Sequence, residues 1–200
     1  GGMYRVFDDG TGGYAPLELR TIPWANYNAA VGELHPAAGD LDGDALDEIV
    51  LGLGTYTQAG GWVAVVRDHS GRYDLLRWIR LPWSLYNAAN GAVYPACGDL
   101  DGDGKDEVVL ATGTYAPSGG WVLILDDMDA NFARLQWFRG GTTTYNAQNG
   151  ELHPACGDVD ADGRDEILLG MGAGGAGLVQ VRNDRVQGLG LMTTLVYPSA

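Results

Sequence analysis

Apolar residues along this chain fall in short runs, cut by glycine-rich and asparagine-rich stretches. Residues 48–54 (EIVLGLG) are almost continuously apolar, as suits a strand covered on both faces. Further short runs follow at "GWVAVVRD" from Gly61 and "LLRWIRLPW" from Leu75, rich in β-branched and aromatic residues. A strand is also predicted before the first run, from His35 to Leu41. No long segment carries apolar residues at helical spacing.

The pattern repeats. "GDLDGDALDEIV" starts at Gly39, "GDLDGDGKDEVV" at Gly98 and "GDVDADGRDEIL" at Gly157, a period of 59 residues both times. "YNAAVGELHPAA" at Tyr27 returns at Tyr86 and Tyr145, and "GGWVAVV" at Gly60 returns as "GGWVLIL" at Gly119. A fixed period of this length means stacked copies of one supersecondary unit. Four short strands per unit predict an all-β fold of β-propeller blades, each of four antiparallel strands. A solenoid is the alternative, with repeats that are usually shorter. Residues 1–200 read as one propeller region, with units 1–59, 60–118 and 119–177 and a terminal half-unit 178–200. The chain opens on a third strand, "GGMYRVFDDG", and ends on a degenerate pair, so it holds about three and a half blades. That predicts a partial propeller, or one completed by another chain, because rings typically need four or more blades. An unpaired blade edge invites association with a protein partner or a second copy.

Charge sharpens this picture. The net charge is −14, from 26 acidic and 12 basic residues, and fifteen of the acids sit in the three loops, five in each. The acidity is local. Nucleic acid is disfavoured as a partner, since phosphate binding needs a basic surface. No apolar run reaches the length of a membrane span.

Numbered from Asp40, the first loop has carboxylates at positions 1, 3, 5, 8 and 9. Asp40, Asp42 and Asp44 alternate and can face one centre. The carbonyl of Leu46 and the carboxylate of Glu48 can complete the shell. Six to eight hard oxygen ligands suit calcium, with magnesium second. Zinc lacks its Cys or His ligands in the loop. An EF-hand would need Glu at position 12 and flanking helices. Position 12 is apolar and a strand follows.

Three copies of D-x-D-x-D-x-x-D-E-[IV], followed by a "GGWV"-type strand, resemble FG-GAP/VCBS repeats, the blades of integrin-α-like propellers. "ATGTYAPSGGWVLIL" is similar to the Gly-Ala-Pro half of that repeat, while "NGAVYP" and "GELHP" replace the Phe-Gly half. The resemblance implies one calcium ion per loop, about three in all. It extends the ligand set to Asp99, Asp101, Asp103, the Lys105 carbonyl and Glu107, and to Asp158, Asp160, Asp162, the Arg164 carbonyl and Glu166. Asp47, Asp106 and Asp165 then point away, to solvent or neighbouring backbone. The family usually has Asp at position 9, where this chain has Glu. Position 6 is usually Gly, but the first loop has Ala45, which marks that site as the most strained or weakest.

The remaining features read mainly as structure. Tyr27/Asn28, Tyr86/Asn87 and Tyr145/Asn146 lie between blades, where Tyr packs and Asn ties a turn. Sugar stacking beside Trp24 and Trp83 is the alternative. Cys97 and Cys156 read as buried free thiols, and His35, Tyr94 and His153 as packing positions. No catalytic constellation stands out. The expected function is a non-enzymatic, calcium-binding propeller module for extracellular or cell-surface adhesion or assembly. The alternatives are a calcium-dependent carbohydrate-binding lectin of the same fold, and the accessory propeller of a larger secreted enzyme.

Overall fold

A computed structural model describes residues 1–8, 10–68 and 72–197. Among the described residues, fourteen strands are joined by tight turns and three short helices. β1 (Met3–Phe7) and β2 (Pro16–Thr21) form a two-stranded sheet. The first full blade is β3 (Leu34–Gly39), β4 (Glu48–Leu53), β5 (Trp62–Asp68) and β6 (Tyr73–Arg80). The second is β7 (Val93–Gly98), β8 (Glu107–Thr112), β9 (Trp121–Leu125) and β10 (Arg134–Arg139). The third is β11 (Leu152–Gly157), β12 (Glu166–Met171), β13 (Leu178–Arg182) and β14 (Leu191–Val196). Each sheet pairs its strands in chain order, all antiparallel. The all-β, blade-like expectation holds, and the series of sheets is open, not closed into a ring. The degenerate last pair is the outer half of the third blade, and the half-blade lies at β1–β2.

The alternation of side chains explains the continuous apolar runs. Each central strand serves two cores, because successive residues point to opposite faces. In β8 and β9, Val108, Leu110, Leu123 and Leu125 pack back against the first blade. Val109, Ala111, Val122 and Ile124 pack forward against the third. Likewise Val50, Val63 and Val65 face the second blade, while Leu51, Ala64 and Val66 face the β1–β2 pair. The core is therefore three clusters lying between sheets.

Blades also join through backbone. Asp106 N–H donates to the Asp40 carbonyl at 2.8 Å, and Asp165 N–H to that of Asp99 at 2.8 Å. Met128 N–H and Arg185 N–H donate to the carbonyls of Leu41 and Leu100, both at 2.9 Å. Gly39 and Gly98 sit where the next blade's Cys97 and Cys156 approach, and a Cβ at either would collide with that cysteine and with Asp106 or Asp165. Nothing lies within 4 Å of the same position at Gly157.

The links between blades contain α1 (Ala25–Ala30), α2 (Ser84–Ala89) and α3 (Thr143–Gln148). The sequence reading had them as turns. Each is six residues, too short to show helical periodicity. Tyr27, Tyr86 and Tyr145 are buried, as the packing reading expected, and so are Asn87 and Asn146. The Tyr86 hydroxyl accepts from Gly113 N–H at 2.7 Å and donates to the Ala92 carbonyl at 2.5 Å. Asn28, Asn87 and Asn146 donate through Nδ2 to the carbonyls of Ile22, Leu81 and Gly140. The amide nitrogens are thus committed to the chain's own backbone, while Oδ1 of each asparagine is buried without a hydrogen-bond partner. His35 stacks on Tyr94 at 4.1 Å, and Tyr94 meets His153 edge-on at 4.5 Å. Both cysteines are free thiols, and burial pushes their pKa up.

Candidate metal centre

Each acidic loop connects the first strand of a blade to the second. Position 1 builds the loop. Asp40 accepts from the N–H groups of Gly43, Asp44 and Ala45 at 2.7, 3.1 and 2.9 Å. Asp99 and Asp158 accept from the matching amides of their own loops. Such Asx-type bonds hold a tight turn without help from regular structure.

Position 9 lies beneath the loop. Glu48, Glu107 and Glu166 open the second strands and are each 0% exposed. One oxygen, Oε2, accepts from the backbone N–H of Leu41, Leu100 or Val159 at 3.1, 2.8 and 3.0 Å. The other, Oε1, is buried without a hydrogen-bond partner in all three. Oδ1 of Asp42 and of Asp101 is in the same condition. Their second oxygens are taken by guanidinium groups. Arg67 bonds Asp42 at 2.6 Å, and Arg185 of the third blade bonds Asp101.

Ligand atoms of Asp40, Asp42 and Glu48 lie within 4.8 Å of one another, as do those of Asp99, Asp101 and Glu107, and of Asp158, Asp160 and Glu166. The structure thus brings positions 1, 3 and 9 together. Position 5 stays outside these groups. Asp44, Asp103 and Asp162 turn an oxygen onto the N–H of Leu46, Lys105 and Arg164 at 2.9, 2.9 and 3.0 Å. The position-7 side chains reach sideways. Leu46 is exposed, Lys105 pairs with Asp129 at 2.7 Å, and Arg164 pairs with Asp162 and with Asp184 at 3.2 Å.

Burial and crowding show in the proton affinities. Glu48 is pushed up to about 7, first by burial and then by Asp42 and Asp44. Glu107 is pushed up to about 8 for the same kind of reason, and Glu166 is raised. Asp106, at position 8, rises to about 6 through burial and the nearby Asp165 and Asp47. It faces the neighbouring blade's backbone at Gly39, and Asp165 faces Gly98.

Ala45 has φ 67°, so the expected left-handed position is real, beside 87° and 88° at Gly104 and Gly163. The third loop carries a second case. Ala161 has φ 64° at position 4, where the other loops have Gly43 and Gly102. The left-handed region costs an L-residue about 1–2 kcal/mol. That strain falls on the first and third loops alike.

Sequence reasoning missed one acidic position. Ligand atoms of Asp162, Glu166 and Asp184 also lie within 4.8 Å of one another. Asp184 is wholly buried just past β13 and accepts from Gln187 N–H at 2.7 Å. Asp127 is its register equivalent after β9, buried and bonded to Ala130 N–H at 2.7 Å. The signal was an Asp at or just past the end of the third strand of each full blade, at Asp68, Asp127 and Asp184. A two-residue shortening before Asp184 broke the 59-residue spacing and hid it.

Buried carboxylate oxygens without partners are costly, and native structures seldom keep them. The oxygens left open at positions 3 and 9 make a hard donor set of the kind an alkaline-earth cation accepts. The residues fit such an ion.

Serial four-stranded sheets, each with an equivalent acidic turn between its first two strands, define a β-propeller-type repeat array. Residues 99–169, from the first carboxylate of the second loop into β12, match the family model of the FG-GAP-like repeat. No curated protein matches the chain. No helix among the described residues is long and apolar enough to cross a membrane.

Proposed function

We propose that this chain is a calcium-stapled, non-enzymatic propeller segment that serves adhesion or assembly outside the cell. One observation carries the reading: a buried glutamate at the same place in each of three loops, with one carboxylate oxygen unpartnered. Positions 1, 3 and 9 would hold the ion, and it would supply the positive charge that the loop lacks. Calcium is favoured over magnesium because its coordination tolerates an irregular arrangement, whereas magnesium demands near-ideal octahedral geometry. In an extracellular setting such modules bind calcium with Kd of roughly 10⁻⁴–10⁻³ M, which suits a structural ion.

Calorimetry with calcium tests it. The expected result is saturable binding approaching about three ions per chain, with Glu107→Gln removing about one. Absence of heat up to about 10 mM calcium would refute the metal assignment.

The assembly part is supported by the third blade. Val159 is 51% exposed, whereas its equivalents Leu41 and Leu100 are 0% exposed beneath the following blade. Leu168 and Val179 are half-buried where Val50, Val109, Val63 and Val122 are fully buried. Such a face suits a further blade, and a second copy of the chain is one source of it. Light scattering should give a mass above one chain, reduced to a single chain by Val159→Asp. A monomeric wild type at all concentrations would rule out self-association.

A further inference from the structure

All six tryptophans of the chain fall into two repeat-equivalent triads: Trp24, Trp62 and Trp78 in the first blade, and Trp83, Trp121 and Trp137 in the second. In each, one ring comes from the residue before a linking helix, one from the start of the third strand and one from the fourth strand. The two triads differ in form. In the first, the rings stand nearly perpendicular in every pairing, at 90°, 85° and 85°, with centroids 5.8–6.2 Å apart. In the second they lie closer to parallel, at 33°, 7° and 27°.

Three mutually perpendicular rings make the corner of a box. The first triad and Pro23 line an open cleft of about 220 Å³. Its side chains offer no carboxylate, hydroxyl or amide, and the indole N–H of Trp62 is itself buried. The second triad borders a larger cleft of about 450 Å³ that includes the hydroxyl residues Ser84, Ser118 and Tyr115.

We infer that the Trp24–Trp62–Trp78 corner is a binding site for a small quaternary ammonium compound of the choline type. Ring faces carry negative electrostatic potential and attract cations. One face already does so: the Arg80 guanidinium lies 5.2 Å from the centre of the Trp62 ring. A trimethylammonium group spreads its charge over an apolar surface, touches walls on three sides and needs no hydrogen bond. A sugar needs partners for its hydroxyls, and this lining supplies none beyond indole N–H. The site is independent of the acidic loops and of any ion in them.

Because every tryptophan belongs to a triad, tryptophan fluorescence, excited selectively over tyrosine, reports on these two sites. Wild-type protein is titrated with choline chloride at constant ionic strength, and in parallel with the neutral isostere 3,3-dimethylbutan-1-ol and a panel of monosaccharides. Choline is expected to give a saturable change and to bind about fivefold or more tighter than the isostere. Trp78→Leu, which keeps the site apolar, should abolish the response, and Trp137→Leu should retain it. In the unaltered protein, ring currents should move the choline methyl proton signals upfield, a reading that depends on no variant. Failure of choline to saturate, equal binding of the isostere, preference for a monosaccharide, or loss in Trp137→Leu alone would each overturn the assignment.

Discussion

Chelation of divalent ions should lower the melting temperature of this protein by roughly 10 °C. Calcium at about ten times its dissociation constant adds roughly 1.4 kcal/mol per site, so three sites give about 4 kcal/mol. For a domain near this size, 1 kcal/mol moves the midpoint by about 2–4 °C. Scanning calorimetry with excess calcium and with excess chelator measures the difference, and coincident midpoints would remove the staple role. The ion-free protein should also respond to pH. Glu107 is raised to about 8 and Glu48 to about 7, above the ordinary carboxylate value. Between about pH 4.5 and 8 the native state then holds protons that the unfolded chain releases, so stability falls as pH rises. The stabilisation is fully present below the unfolded value and is lost through the folded one. Bound calcium keeps these groups ionised and should flatten that fall. An ion-free protein that grows more stable from pH 6 to pH 8 would contradict the burial of the glutamates.

Gly98→Ala should destabilise the fold by about 3 kcal/mol, the upper end of overpacking costs. Its new methyl group meets the Cys156 Cβ and the Asp165 carboxylate across the blade junction. The backbone there has little freedom to yield, because the Asp165 N–H to Asp99 carbonyl bond closes the same junction. Gly157→Ala, at the equivalent place of the third blade, should change stability by less than about 0.5 kcal/mol. Denaturant unfolding of the pair is the measurement. Equal losses would mean that another blade covers Gly157 in solution, and equal neutrality would mean that the junction is looser than its geometry.

Much of this was legible because repetition turns weak local signals into strong ones. One Asp-rich turn is common, but three in register fixed both the loop and the strands on either side. Continuous apolar runs such as "EIVL" declared burial on both faces, and the two cores served by each central strand explain why. Other features left no such trace. A six-residue helix spans under two turns, so α1–α3 had no periodicity to show. The inward turn of Asp44, Asp103 and Asp162 onto their own loops is decided by backbone geometry, not by residue type. Asp184 belongs with the third loop through tertiary contact, and its shortened spacing concealed its kinship with Asp127. Ala161 passed unnoticed because only position 6 was read as a left-handed site.

The sharing of each core between consecutive blades has a consequence for how such chains change over time. No sheet owns its interior: Val108 and Val109, adjacent in sequence, belong to different clusters. Yet the junction after the first blade and the junction after the second use the same parts, Gly39 with Cys97 and Gly98 with Cys156. Gain or loss of one whole 59-residue unit therefore brings together surfaces that already match. A shift of register inside a central strand, by contrast, would disturb two interiors at once.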